Sequence, residues 1–224
     1  MTPYYGPVDG ITIYHVDCRE LSVVADVVLT DPPYGVNWNC EQSGFNTSRK
    51  AGGFNKWKRD SEFPPIANDS GDLDLTWLMA YSTVMICGGN YYPFPPTKCW
   101  IVWDKRDGIG SNDQADAEMV WTNLDRPTRL YRHLWSGLLR AGEENVSRAP
   151  KYHPNQKPVG LGLFALNYAS ANGIVYDPFI GSGSFLVAAK RMGLQAIGAD
   201  LVEANCEIAA KRLAQGALPM EFSK

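Results

Sequence analysis

The feature that most constrains this chain is an apolar segment that ends abruptly at two prolines. The run from Val23 to Thr30 is rich in β-branched side chains and lacks regular alternation of apolar and polar residues. Such a run is typical of a parallel strand that is buried on both faces of a sheet. Asp31, Pro32 and Pro33 follow, and the prolines cannot continue a central strand because they have no amide hydrogen. The sequence therefore predicts a buried strand that ends at an aspartate.

A succession of apolar strands, polar turns and helices recurs along the 224 residues. Further strands are predicted at 11–16, 81–87, 99–103, 174–176 and 195–199, with two antiparallel edge strands at 119–123 and 129–135. Helices are predicted at 73–79, 158–171, 184–192 and 203–215. This order indicates an α/β fold, a mixed and mostly parallel sheet with helices on both faces. Residues 1–224 are expected to form a single domain.

A glycine-containing turn lies between the strand at 174–176 and the next helix. Its residues are Asp177, Pro178, Phe179, Ile180, Gly181, Ser182, Gly183 and Ser184. Glycine allows a tight turn and a close approach by a ligand, and the helix N-terminus offers free amides. Asp200 closes the next strand, at the distance where an acidic residue typically binds ribose hydroxyls. The pyrophosphate fingerprint G-x-G-x-x-G is absent, which favours a single nucleoside over a dinucleotide.

The segment Asp31-Pro32-Pro33-Tyr34 suits chemistry on an exocyclic amino group. Such a group is a poor nucleophile because its lone pair is delocalised into the ring of the base. The Asp31 carboxylate and the Pro32 carbonyl could accept its two hydrogens and localise that lone pair. Tyr34 offers a flat face on which a base flipped out of a duplex could stack. The structural alternative is a turn that merely ends a strand and buries an aromatic ring.

Three motifs together resemble the β class of DNA amino-methyltransferases, which use S-adenosylmethionine. They are Asp31-Pro32-Pro33-Tyr34, then His153-Pro154-Asn155-Gln156-Lys157-Pro158, which is similar to the family's H-P-x-Q-K-P segment, and Asp177 to Gly183. The catalytic motif comes first and the cofactor motif last, as in that class. Residues 87–90 and 100–105 also resemble members carried by phages, and the resemblance spans about residues 11–213.

The resemblance implies a Rossmann-like methyltransferase fold and assigns roles to individual residues. Asp31, Pro32, Pro33 and Tyr34 would form the catalytic motif and hold the flipped base. The cofactor would be bound by Asp17, Cys18, Lys157, Asp177, Pro178, Phe179, Gly181, Ser182, Gly183, Ser184, Asp200 and Leu201. Within that set, Asp200 would bind the ribose and Asp17 would contact the adenine of the cofactor. No metal is expected, because the three histidines are scattered among the cysteines.

Asp31 favours adenine as the target, because the family's adenine-N6 enzymes mostly carry Asp at this position and many cytosine-N4 enzymes carry Ser. Methylation of cytosine at carbon 5 is excluded, since that reaction typically needs a Pro-Cys pair and the chain has none. A cytosine-N4 enzyme, an RNA adenine methyltransferase and a catalytically idle nucleic-acid-binding subunit are the open alternatives. A nicotinamide oxidoreductase is a more distant one.

DNA, double-stranded in the simplest case, is the expected macromolecular partner, although the net charge is −3. Two stretches that could contact it, at about 35–70 and 105–152, contain clustered basic residues. The predicted DNA contacts are Arg49, Lys56, Lys58, Arg59, Lys105, Arg126, Arg129 and Arg132. Because only these two stretches are free to contact DNA, we expect a short recognition sequence or relaxed specificity. Relatives of the β class often form homodimers, and the sequence leaves the oligomeric state open.

The chain is expected in the cytoplasm of a bacterium or a phage-infected cell. Its five cysteines form no Cys-x-x-Cys pair, which favours a reducing compartment. We find no signal-peptide pattern and no apolar run long enough to span a membrane. Restriction–modification, phage protection and regulation all fit such an enzyme.

Overall fold

The fold is described from a computed structural model of the chain. The structure describes residues 1–36, 67, 69, 73–111, 115–136, 139–141 and 156–215. The strands are β1 (Tyr5–Val8), β2 (Ile11–His15), β3 (Val27–Thr30), β4 (Thr83–Cys87), β5 (Trp100–Asp104), β6 (Ala117–Thr122), β7 (Arg129–Arg132), β8 (Trp135–Ser136), β9 (Leu139–Arg140), β10 (Ile174–Asp177) and β11 (Gln195–Asp200). The α-helices are α1 (Val159–Tyr168), α2 (Ser184–Arg191) and α3 (Glu203–Ala214), and short 3₁₀ turns lie at Cys18–Glu20, Thr76–Ala80 and Gly89–Tyr91.

Nine of these strands form one mixed sheet in the order β1-β2-β11-β10-β3-β4-β6-β5-β7. The neighbours β2, β11, β10, β3 and β4 are parallel, while β1 and β6 run in the opposite direction. The carboxyl ends of the parallel strands therefore meet at one edge of the sheet, which we call the carboxyl edge. The α/β prediction, with a mixed and mostly parallel sheet, is confirmed.

The buried strand predicted before the two prolines is present, but it is shorter than expected. All four residues of β3 are buried, whereas Val24 is 87% exposed. At the start of the strand, the amide of Asp26 donates to the carbonyl of Ile174 at 2.9 Å, and the carboxylate of Asp26 accepts from the amide of Ile174 at 2.7 Å. Asp26 therefore links the beginning of β3 to the beginning of β10.

The two faces of the sheet are covered differently. Side chains of α1, α2 and α3 pack into one apolar core on one face, together with residues such as Leu29 and Ile101. On the other face a second core forms around Leu75 and Leu78, next to the 3₁₀ turn at Thr76–Ala80. The helix predicted at 73–79 is thus a 3₁₀ turn. None of the helices in the described ranges is both long and apolar enough to cross a membrane.

The two strands predicted at 119–123 and 129–135 as an antiparallel edge pair are arranged differently in the structure. Strand β6 lies inside the sheet, between β4 and β5, and β7 forms the edge but runs parallel to β5. Because β6 is reversed, its first residues lie at the carboxyl edge. This reversal places Glu118, the second residue of β6, next to the ends of the parallel strands.

Candidate active site

The two sequence motifs meet at the carboxyl edge because β3 and β10 are neighbours in the sheet. Asp31 directly follows β3, and Asp177 is the last residue of β10. The hydroxyl of Thr30 donates a 2.7 Å hydrogen bond to Oδ1 of Asp177 and links the two strand ends. Asp200 ends the adjacent strand β11. Three carboxylates therefore line neighbouring strand ends.

Both oxygens of the Asp31 carboxylate accept hydrogen bonds. Oδ1 accepts from the hydroxyl of Tyr34 at 2.8 Å, and Oδ2 accepts from Nζ of Lys157 at 2.7 Å. Burial raises the pKa of Asp31, and the adjacent Lys157 ammonium opposes this rise. The carbonyl of Pro33 accepts from the hydroxyl of Tyr92, which fixes the rigid proline pair. The carboxylate is thus held at a defined position, with its side chain 19% exposed.

The ring of Tyr34 is held in an aromatic stack. Its centroid lies 4.8 Å from that of Tyr91, with an angle of 16° between the planes. Gly88 has a φ of +65°, and a Cβ built there would lie 2.2 Å from the Tyr34 ring. Only glycine therefore leaves room for the ring. Tyr91 is 54% exposed, so it can leave the stack without unpacking the core.

Lys157 lies deeper in the site than the sequence suggests. Its side chain is 6% exposed, and Nζ lies 2.7 Å from Asp31 and 3.3 Å from Oε2 of Glu118. Its carbonyl accepts a hydrogen bond from Ser184, so its backbone does border the glycine turn. The indole of Trp135 binds the carbonyl of Gln156 and holds the preceding residue in place. The ammonium of Lys157 thus contacts Asp31, while its backbone carbonyl contacts Ser184 in the glycine turn.

Both glycines of the predicted turn adopt left-handed backbone conformations. Gly181 and Gly183 have φ values of +47° and +76°. A Cβ at Gly183 would lie 2.7 Å from Ala209 of α3, whereas one at Gly181 would meet no atom within 4 Å. Gly183 is therefore needed for packing, and Gly181 faces open space. The amide of Gly181 donates to Oδ2 of Asp200 at 2.9 Å.

The predicted cofactor acids differ in environment. Oδ1 of Asp200 accepts hydrogen bonds from the amide of Val202 and the side chain of Asn205, and burial raises the pKa of Asp200. Asp17 instead binds the backbone and the guanidinium of Arg19, and the side-chain hydrogen bond lowers its pKa to about 2. Of the remaining predicted cofactor residues, Cys18, Pro178, Ser182 and Ser184 are buried, Phe179 is half-buried and Leu201 is exposed.

The four predicted DNA contacts in the described part of the chain lie at two opposite edges of the sheet. Arg132 ends β7, and Lys105 follows β5, so both lie at the carboxyl edge. Lys105 donates to Oε1 of Glu118 at 2.8 Å. Arg126 and Arg129 lie at the start of β7, where their guanidinium groups pack over the ring of Tyr168. These two arginines are not brought to the site.

Several predicted residues lie outside the described part of the chain. They include Arg49, Lys56, Lys58, Arg59 and His153. Within the described part, we find no cluster of three or more His, Cys, Asp or Glu side chains that could hold a metal ion.

The sequence reasoning missed Glu118 and Tyr91. Both depend on neighbours that are distant in the chain, and Glu118 reaches the site only because β6 is reversed. The pattern of the sequence contains no signal for either contact.

Comparison with known proteins finds relatives of this chain among DNA methylases. The N6/N4 family model, described as "DNA methylase", matches residues 96–211. The type II methyltransferase M2.LlaDCHI of Lactococcus lactis subsp. cremoris is 38% identical, over 96% of this chain and 93% of its own length. The type II methyltransferase M.HinfI of Haemophilus influenzae is 34% identical, over 90% of this chain and 68% of its own length.

Two solved structures share the fold. The cytosine-N4-specific PvuII DNA methyltransferase has a TM-score of 0.52 and 16% identity, covering 95% of this chain and 88% of that chain. The M1.HpyAVI–SAM complex has a TM-score of 0.51 and 17% identity, covering 91% of this chain and 98% of that chain.

We predict that Asp177→Asn makes the protein more stable at neutral pH. Burial raises the pKa of Asp177 to about 7, above the ordinary value of an unfolded chain, so ionisation costs stability as pH rises from about 4 to 7. Asn keeps the acceptor for Thr30 without this cost. Its advantage over wild type should grow to at most about 4 kcal/mol by pH 8.

Urea unfolding of both proteins at about pH 5 and pH 8 measures this difference. An advantage that is the same at both pH values would contradict the raised pKa.

Proposed function

The chain belongs to the N6/N4 DNA methylase family, and we propose that it transfers the methyl group of S-adenosylmethionine to the N6 amino group of adenine in DNA. The observation that carries this proposal is the position of Asp31. Its carboxylate lies at the carboxyl edge, beside the strand end that bears the glycine turn. An acceptor for an amino group and a turn suited to a nucleoside thus lie side by side.

The residues of the glycine turn fit the proposed cofactor. The open space beside Gly181 and the acidic strand ends at Asp177 and Asp200 suit a ligand with ribose hydroxyls and a positive charge. Asp200 keeps acceptor capacity for the ribose, Phe179 to Ser184 would surround the methionine part, and Asp17 and Leu201 would border the adenine. When bound, S-adenosylmethionine supplies a methyl group that is already activated for transfer.

Asp31 and Pro32 would activate the target amino group. The carboxylate and the carbonyl each accept one of its hydrogens, which directs the nitrogen lone pair toward the methyl group. The rigid proline pair and the contact between Pro33 and Tyr92 hold these acceptors in place. Catalysis would therefore come mainly from positioning, since the methyl donor needs no further activation.

Tyr34 would bind the base that has left the duplex. In the structure its ring contacts Tyr91, so a base stacking on that face would take the place of Tyr91. The exposure of Tyr91 supports such an exchange. Arg132 and Lys105 lie at the same edge and would contact DNA phosphates. The side chain of Arg132 is 62% exposed, whereas that of Lys105 is 18% exposed and pairs with Glu118.

Adenine is proposed over cytosine because the acceptor at the first motif position is Asp31. The family includes enzymes for both bases, and the same pair of acceptors could bind the N4 amino group of cytosine. The two reactions differ in their methylated product, which decides between them directly.

The proposal is tested with methyl-labelled S-adenosylmethionine and unmethylated double-stranded DNA, followed by digestion to nucleosides and chromatography. We expect the label in N6-methyladenine. Label in N4-methylcytosine would overturn the choice of base, and unlabelled DNA would overturn the proposed function as a whole.

The same assay tests the role of Asp31. Asp31→Ala should lower methylation on the order of 100-fold or more, because the amino group loses its carboxylate acceptor, while binding of the cofactor is retained. Asp125→Ala is a matched control, since Asp125 is 85% exposed and pairs with Lys98 on the surface. Full activity of Asp31→Ala would contradict the assigned role.

Base flipping is tested with 2-aminopurine in place of the target adenine, because its fluorescence rises when the base leaves the stack. Tyr34→Phe keeps the ring and should retain most of the rise. Tyr34→Ala removes the ring and should weaken capture of the base by about 1–3 kcal/mol. Equal fluorescence in the two variants would show that the ring does not hold the base.

A further inference from the structure

A second carboxylate, Glu118, lies at the site but has no part in the chemistry proposed above. It is the second residue of β6, and the reversal of that strand brings it to the carboxyl edge. Its Oε1 atom accepts a hydrogen bond of 2.8 Å from Lys105. Its Oε2 atom is buried and makes no hydrogen bond of good geometry with a described residue, but it forms an ion pair with Nζ of Lys157 at 3.3 Å. A buried carboxylate oxygen that relies on one longer ion pair calls for an explanation.

Oε2 of Glu118 faces the ammonium group of Lys157, which also holds Asp31. Oε2 of Glu118 lies 3.3 Å from Nζ of Lys157, while Oδ2 of Asp31 lies 2.7 Å from the same atom. Lys157 is thus shared unequally between two carboxylates. Burial by itself lowers the pKa of Lys157, but the two carboxylates more than offset this effect and raise it. The ammonium therefore keeps its proton and always needs an anionic partner.

We propose that Glu118 is a positioning residue that takes over Lys157 when Asp31 accepts the proton released by methylation. This inference rests on the proposed function, because it concerns the fate of that proton. The shorter contact with Asp31 is the arrangement before transfer. The longer contact with Oε2 of Glu118 becomes the main ion pair afterwards.

The proton balance of the reaction requires such a partner. As the amino nitrogen gains the methyl group, the bonding electron pair stays on the sulfur of the cofactor. The nitrogen is left with a positive charge and one hydrogen too many. An N–H bond then breaks, its electron pair stays on nitrogen, and an O–H bond forms on the carboxyl of Asp31. Without Glu118, this neutral carboxyl would leave a buried ammonium unpaired, which is strongly unfavourable.

The other titratable groups around this cluster do not replace Glu118. Tyr34, Tyr92 and Cys87 face Asp31, and burial raises the pKa of each, so all three are neutral near pH 7. Asp177 also faces Asp31, but its carboxylate is bound by Thr30 and by the amide of Phe179. Lys105 is a cation and supports the ionised form of Glu118.

Glu118→Gln removes the negative charge of the second carboxylate. Single-turnover methylation by this variant, measured across a range of pH, tests the inference. We expect the plateau rate to fall roughly 10- to 100-fold, because protonation of Asp31 now leaves Lys157 unpaired. The acidic limb of the pH–rate profile, where the rate falls as Asp31 becomes protonated, should move to lower pH. The reason is that Glu118 no longer repels the ionised form of Asp31. Affinity for the cofactor should stay near that of wild type.

Two further variants separate charge from packing. Glu118→Asp keeps the negative charge, so the acidic limb of its pH–rate profile should stay at the wild-type position. Its plateau rate should lie between those of wild type and Glu118→Gln. This variant also carries the test if Glu118→Gln does not fold. Glu207→Gln is the control, since Glu207 is an exposed carboxylate paired with Lys211 on α3, and it should match wild type.

The outcomes distinguish this inference from the proposed function. A wild-type rate with an unmoved acid limb in Glu118→Gln overturns the role of Glu118 and leaves the methyltransferase assignment intact. An equal displacement of the limb in Glu118→Asp and Glu118→Gln attributes the effect to packing and also overturns it. A wild-type protein that does not methylate DNA overturns both.

Discussion

The buried ion pair between Asp31 and Lys157 is the interaction on which this site depends. It joins the strand end of β3 to the residue that precedes α1 by one proline, 126 positions later in the chain. Neither partner could be buried alone, because an unpaired charge in this environment costs several kcal/mol. The pair therefore fixes the catalytic motif against the segment that borders the glycine turn. In this way the fold keeps the Asp31 carboxylate beside the glycine turn that follows β10.

Much of this arrangement could be predicted from the sequence. Strand β3 is apolar on both faces and is followed by prolines, so its burial and its end follow from local chemistry. The glycines at 181 and 183 predict a tight turn, and both adopt positive φ values there. Because parallel strands share a direction, Asp31, Asp177 and Asp200 had to meet at one edge. The roles proposed for these residues come from the family resemblance and from the chemistry of their side chains.

What the sequence did not predict depends on contacts between distant segments. Glu118 reaches the site because β6 is inserted in reverse between β4 and β5, and no local pattern announces that insertion. Tyr91 stacks on Tyr34 because Gly88 lets the chain approach the ring. Conversely, Arg126 and Arg129 belong to a basic segment but lie at the opposite edge, since β7 proved to be parallel to β5. A cluster of basic residues in a sequence does not reveal at which edge of the sheet those residues lie.

We expect Asp31 and Pro32 to bind the amino group of an adenine that has left the duplex. This is tested by a crystal structure of the chain with a non-reactive analogue of the cofactor and a DNA duplex. The structure should contain an adenine outside the duplex, with N6 about 3 Å from a carboxylate oxygen of Asp31 and from the carbonyl of Pro32, and with Tyr34 stacked on its ring. An adenine still paired in the duplex, or bound with its amino group away from Asp31, would contradict it.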